Sequence, residues 1–176
     1  MIEIMRGDIT TLDVDAIVNA ANGSLQGGGG VDGAIHRAAG PALVRASAPL
    51  APLETGGAVI TPGFRLPARY VIHVVGPVWT DGEHDEPALL ERTYRSGFTL
   101  ALQHGDIGSI AWPAVSTGVY RFPRERAAHI ALRVMREFEP EFDRIVACAF
   151  DADTEALYVR TRAALEPPRV DGGRPR

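Results

Sequence analysis

The chain has 176 residues, enough for one domain with a full core and too few for a second of ordinary size. With 45% hydrophobic and 23% charged residues and a net charge of −4, it has a globular balance. No global basic field draws it onto nucleic acid or anionic lipid, so a bound anion must be gripped by local donors.

In chain order, residues 2–5 form the first strand, with no basic-then-apolar leader ahead of them, so no signal peptide is expected. Further strands are predicted over 16–19, 58–61, 70–75, 109–112 and 144–150, several of them the continuous Val/Ile runs of strands covered on both faces. A helix is predicted from Val31-Asp32 through Ile35, Ala38 and Ala39 to a stop at Gly40-Pro41. A second begins near Pro87 and carries Leu90, Tyr94, Gly97, Phe98 and Ala101 on its buried side. A third follows Pro123, with Ala127, Ile130, Ala131, Val134, Met135 and Phe138 on one face, and a fourth runs over 154–165.

This alternation predicts a three-layer α/β/α sandwich around a mixed, mostly parallel sheet, as one domain over residues 1–165. Because the first two strands precede any helix, a mixed sheet is favoured over a wholly parallel one. Residues 166–176, with Pro167-Pro168 and Gly172-Gly173, are expected to be a disordered tail. No apolar stretch approaches about eighteen residues, and a cytoplasmic, monomeric protein without a membrane segment is expected. The one cysteine, Cys148, excludes an intrachain disulfide and a thiolate cluster and reads as a small buried hydrophobe. The histidines His36, His73, His84, His104 and His129 show no ligand spacing, and the acidic run 81–86 reads as a solvated loop; no metal or cofactor is expected.

Two strand-end loops carry the unusual residues. The first runs from Asn19-Ala20-Ala21-Asn22 through four consecutive glycines, Gly27 to Gly30, into Val31-Asp32-Gly33 and a helix. A glycine run is entropically costly, and close backbone approach to an anion, with a helix N-terminus behind it, is a reason to keep one. Asp32 at that point either caps the helix or stands ionised at a cleft rim, within reach of a sugar hydroxyl or a water. Asn22 offers the donor and acceptor that suit a sugar diol. The second loop, Pro113-Ala114-Val115-Ser116-Thr117-Gly118-Val119-Tyr120, again joins a strand to small and hydroxylated residues. Gly28-x-Gly30-x-x-Gly33 matches the dinucleotide fingerprint in form only, since the loop before it is too long for that tight turn. Ser116 is not in a Gly-x-Ser-x-Gly elbow, and no Gly-Lys-Ser/Thr follows the glycines.

These segments, with Gly7-Asp8-Ile9-Thr10, Val14 to Asn22, Ala34 to Pro41 and Val75-Gly76-Pro77-Val78-Trp79, resemble the macrodomain family, specifically its MacroD-type group, over residues 2–165. The resemblance implies an α/β/α sandwich that binds ADP-ribose. It implies Asp8 at the adenine amino group, Ile9 beside it and Phe150 against the ring. It also implies Gly28, Gly29, Gly30 and Val31 with Ser116, Thr117, Gly118, Val119 and Tyr120 at the diphosphate and proximal ribose. Asn22 and Asp32 then face the distal ribose as the catalytic pair. The implied activity is hydrolysis of ADP-ribosyl esters: removal of mono-ADP-ribose from acidic side chains of proteins, or deacetylation of O-acetyl-ADP-ribose. On local sequence alone Asp8 reads as a turn former and Phe150 as core. Gly23, Gln26 and Arg121 depart from the family pattern, Arg121 where a glycine is common. The mechanism expected has Asp32 orienting and deprotonating a water while Asn22 fixes the ribose. A helix-start carboxylate tends toward a low pKa, so substrate phosphate is a second candidate base. The competing function is a reader that binds ADP-ribose without turnover; an RNA-binding module is disfavoured by the acidic charge.

Overall fold

A computed structural model describes residues 1–168, so most of the tail expected at 166–176 lies outside the described residues. Six strands, β1 (Ile2–Arg6), β2 (Ala16–Ala20), β3 (Ala58–Pro62), β4 (Tyr70–Val74), β5 (Ser109–Trp112) and β6 (Arg144–Ala149), form one sheet. Its order is β1-β6-β5-β2-β4-β3, with every neighbouring pair parallel except β3 and β4. The sheet is therefore mixed and mostly parallel, as expected, but its antiparallel member is β3 and not one of the first two strands.

The helices are α1 (Gly30–Ala39), α2 (Ala42–Ser47), α3 (Glu86–His104), α4 (Arg124–Phe138) and α5 (Ala152–Leu165). Strand side chains alternate between two cores, as the two-residue period of a sheet requires. Ala16, Val18, Ile72, Val74, Ile110, Trp112, Ile145 and Ala147 point to the large core under α3, α4 and α5. Ile17, Val71, Ala111, Val146 and Cys148 point to the smaller core that Ile35, Ala39 and Leu43 of α1 and α2 complete. The same alternation carries Asn19 and His73, two residues beyond Ile17 and Val71, to the α1 face. They are register partners across β2 and β4, and both are fully buried.

Gly97 tests the packing of the large core. A Cβ there would stand 2.5 Å from Cη2 and 2.8 Å from Cζ2 of Trp112, a ring already held between Tyr94 and Phe98. Gly97→Ala gains about 1 kcal/mol of helix propensity but overpacks a site where such insertions cost about 1–3 kcal/mol. We expect a net loss of stability, seen as a lower urea midpoint with an unchanged slope.

Candidate functional site

The loop after β2 leads to α1 on one face of the sheet, and the loop after the adjacent parallel strand β5 leads to α4 on the other. A crevice opens where neighbouring parallel strands send their helices to opposite faces, beyond their carboxyl ends. Residues 7–11 after β1 and Phe150 after β6 lie at the same edge.

The first loop is shaped by its own polar groups. Asn22 Oδ1 accepts from the Ser24 backbone N–H at 3.1 Å and from its hydroxyl at 2.5 Å, while Nδ2 donates to the Gly27 carbonyl at 3.2 Å. Gly27 and Gly30 have φ of +91° and +58°, the left-handed region that glycine enters without penalty. Gly28, Gly29 and Gly30 are exposed, and Gly29 is the N-cap of α1 with no side chain to occupy the first N–H groups. The exposed main-chain donors of this loop and the positive end of α1 behind them make an arrangement suited to an anion.

Asp32 is neither a cap nor at the rim. It lies in the first turn of α1, only 5% exposed. Its Oδ1 accepts from Asn19 Nδ2 at 2.9 Å and stands 3.4 Å from His36 Nε2, one turn along the helix. Burial raises its pKa above the ordinary aspartate value, opposed by the Asn19 hydrogen bond and by His36. The low pKa expected of a helix-start carboxylate is thus reversed by desolvation. Asn22 and Asp32 meet at Gly28: a Cβ there would be 3.1 Å from Asp32 Oδ2 and 3.3 Å from Asn22 Nδ2.

In the second loop Ser116 takes φ +67°, is 6% exposed, and its hydroxyl has no hydrogen-bond partner among the described residues. Gly76, after β4, is pressed against it, since a Cβ at Gly76 would overlap Ser116 Oγ and lie 2.7 Å from Val115 Cγ1. The loop is closed by Arg121 N–H to the Gly118 carbonyl (3.0 Å), Phe122 N–H to Ser116 (2.9 Å) and Trp79 N–H to Tyr120 (2.8 Å). Tyr94 supports it from below, its hydroxyl accepting from the Val115 N–H at 3.3 Å. Arg121 adopts φ +60°, which explains why glycine is the residue expected there.

The Macro domain family model matches residues 18–131. The chain belongs to the Macro domain family. It is 59% identical over 154 residues to a macro domain-containing protein of Ralstonia nicotianae, covering 88% of this chain and 90% of that one. It is 51% identical over 166 residues to a Salmonella gallinarum protein named O-acetyl-ADP-ribose deacetylase, covering 90% and 92%. The crystal structure of the Trypanosoma brucei macrodomain in complex with ADP-ribose superposes with a TM-score of 0.84 at 45% identity, over 90% of this chain and 68% of that one.

The remaining predicted positions of this macro domain lie at the same sheet edge. Asp8 is the turn former that local sequence predicts: Oδ1 accepts from the Thr10 N–H at 2.9 Å and its hydroxyl at 2.7 Å, capping the 3-10 turn Ile9–Thr11. Ile9 is buried against the smaller core. Phe150 is not the core residue that local sequence predicts; at 91% it is exposed past the end of β6, and Val119 at 90% is exposed on the second loop. Val31 and Tyr120 are half-buried, Thr117 half-buried and Gly118 exposed. The Cys148 thiol is buried, and its pKa is pushed up to about 11 by burial and by Asp8.

The acidic run 81–86 is a self-satisfied loop. Ligand atoms of Asp81, His84 and Glu86 lie within 4.8 Å of one another. The buried Glu86 carboxylate, however, already accepts from the backbone N–H groups of Thr80, Asp81, Gly82 and His84. Despite its burial, these bonds hold its pKa well below the usual carboxylate range. The sequence assigns no functional role to Asn19, His36, His73 or Thr61. The four-residue spacing of Asp32 and His36 is a usable signal for one of them; the other three become neighbours only through the sheet.

Proposed function

We propose that this macro domain is an ADP-ribose-binding hydrolase that cleaves esters of the distal ribose. Its substrate is O-acetyl-ADP-ribose or an ADP-ribosylated acidic side chain. The observation that carries the reading is a buried carboxylate of raised pKa, Asp32, held beside Asn22 directly beneath exposed glycine main chain. A module that only recognised ADP-ribose has no need of a desolvated base at the sugar. The deacetylase name of the Salmonella relative and the ADP-ribose in the Trypanosoma structure support the substrate class.

In this reading the diphosphate is bound by N–H groups of Gly28, Gly29, Gly30 and Val31 on one side. The segment Ser116, Thr117, Gly118, Val119 and Tyr120 holds the other, with the orphan Ser116 hydroxyl finding its partner there. Asp8 meets the adenine amino group through the carboxylate oxygen its turn leaves free, with Ile9 beside the base and Phe150 over it. Asn22 fixes the distal ribose. Ionised Asp32 removes a proton from a water whose oxygen attacks the ester carbonyl. The carbonyl–oxygen bond to the ribose then breaks, and the ribose oxygen takes up a proton. Acetate, or the free side-chain carboxylate, leaves with ADP-ribose as co-product.

Binding and turnover are tested separately. ADP-ribose at 100 times its Kd adds about 2.7 kcal/mol to stability, which for a domain of this size raises Tm by about 5–10 °C. Adenosine monophosphate, lacking the diphosphate, should raise it far less. Acetate release from O-acetyl-ADP-ribose then separates hydrolase from reader; a Tm shift with no release would make the protein a reader, and no shift at millimolar ADP-ribose would end the reading.

A further inference from the structure

Behind Asp32 runs a buried chain of side chains that ends at β3. Asn19 Nδ2 donates to Asp32 Oδ1 at 2.9 Å and lies 3.2 Å from His73 Nδ1; His73 Nε2 lies 2.9 Å from Thr61 Oγ1. Asn19, His73 and Thr61 are all buried. An amide nitrogen can only donate, so each of its two protons has one acceptor, the Asp32 carboxylate and the His73 Nδ1 lone pair. The ring proton must then sit on Nε2, where it donates to Thr61 Oγ1. Burial, with His36 nearby at a ring separation of 6.4 Å, lowers the His73 pKa to about 4, so the ring is neutral through the working range.

This arrangement has a cost that points to its purpose. The Asn19 Oδ1 atom is buried with no partner among the described residues. Native proteins rarely leave a buried carbonyl unpaired, and turning the amide over would satisfy neither acceptor. Asn19 is held in the orientation that serves Asp32 at the expense of its own oxygen. A hydrophobic residue at position 73 would fill the space but leave that orientation unsupported.

Resting on the hydrolase reading above, we propose that His73 is a positioning residue: as the fixed Nε2–H tautomer, anchored by Thr61, it sets the Asn19 amide that aims the Asp32 carboxylate at the reacting water. It touches neither water nor substrate and acts through Asn19 alone.

Two substitutions separate positioning from packing. In His73→Asn the amide oxygen can take the place of Nδ1 and keep the acceptor for Asn19; in His73→Gln the amide reaches toward Thr61 and that acceptor is lost. We expect His73→Gln to lower kcat for O-acetyl-ADP-ribose at least about tenfold with KM and ADP-ribose affinity little changed, since small misplacements of a catalytic group cost rate before binding. His73→Asn should recover most of the rate even if it melts no higher than His73→Gln. Equal rates in the two variants, or a loss of ADP-ribose affinity matching the loss of kcat, would overturn the proposal. Long-range proton–nitrogen NMR of the wild-type imidazoles supplies a readout that needs neither variants nor turnover. An Nε2–H tautomer at His73 from pH 5 to 8 is expected, and an Nδ1–H tautomer refutes the relay whatever the enzyme does. Absence of acetate release from the wild type, with the Nε2–H tautomer present, would instead count against the hydrolase reading and remove the reaction that His73 is proposed to serve.

Discussion

Asp32→Asn should lower turnover of O-acetyl-ADP-ribose by about 10²–10⁴-fold, the range that removal of a general base produces. ADP-ribose affinity should change by less than about tenfold, or 1.4 kcal/mol. The substitution is isosteric, and the amide oxygen still accepts from Asn19 Nδ2, so the contact that orients the side chain survives. What is lost is the carboxylate lone pair that, in the proposed mechanism, takes the water's proton. Steady-state acetate release with calorimetric ADP-ribose binding checks both halves; wild-type turnover in the variant would transfer the base role to the substrate phosphate.

The raised pKa of Asp32 gives this prediction a pH dependence of definite sign. In the proposed mechanism the ionised form is the base, so kcat should fall as pH drops through the folded-state pKa. Burial sets that fall at a higher pH than the 3.8 of an ordinary aspartate. Stability runs the other way. A carboxyl whose pKa is higher folded than unfolded contributes its full stability below the unfolded value and loses it as pH rises through the folded one. At pH 7 the ionised, desolvated Asp32 therefore burdens the fold, and Asp32→Asn should melt at a higher temperature than the wild type. Thermal melts at pH 7 and at progressively lower pH should show that advantage shrinking as the pH falls, because the wild-type carboxyl takes up its proton in the native state before it does in the unfolded chain.

The fold was largely readable because its signals are local. Each strand is an apolar run bounded by turn residues, and all six begin where the runs predict and end within a residue of them. The helix Ala42–Ser47 escaped because Gly40-Pro41 reads as a stop, whereas Pro41 here also opens the next helix, a position where its missing N–H costs nothing. The glycine loop could be singled out from its composition. The state of Asp32 could not, because it depends on Asn19, 13 residues away, and on His73, a further step across the sheet and 54 residues from Asn19. A first-turn aspartate in an isolated helix would be exposed and acidic; the sheet register buries this one. Ser116 is similar, since its left-handed backbone and orphan hydroxyl arise from contact with Gly76 on a different strand end.

Gly33→Ala should weaken ADP-ribose binding by more than about 100-fold, or 2.7 kcal/mol, although residue 33 is buried beneath the loop. A Cβ at Gly33 would overlap the backbone carbonyl oxygen of Gly28 and stand 3.0 Å from an Arg37 guanidinium nitrogen. The arginine can swing away; the carbonyl belongs to the loop main chain and moves only if that main chain moves. Asp32 Oδ2 and Asn22 Nδ2 already crowd the Cα of Gly28, since a Cβ there would lie 3.1 and 3.3 Å from them, so relieving the overlap displaces the N–H groups that we propose hold the diphosphate. Overpacking of about 1–3 kcal/mol exceeds the roughly 1 kcal/mol that alanine gains over glycine in a helix, so Tm should fall as well. Gly29→Ala is the matched control: a Cβ there meets nothing within 4 Å, and the residue's φ of −89° suits alanine, so this variant should melt like the wild type. A Gly33→Ala protein that binds ADP-ribose with wild-type affinity by calorimetry would show that the loop main chain is not the diphosphate's grip.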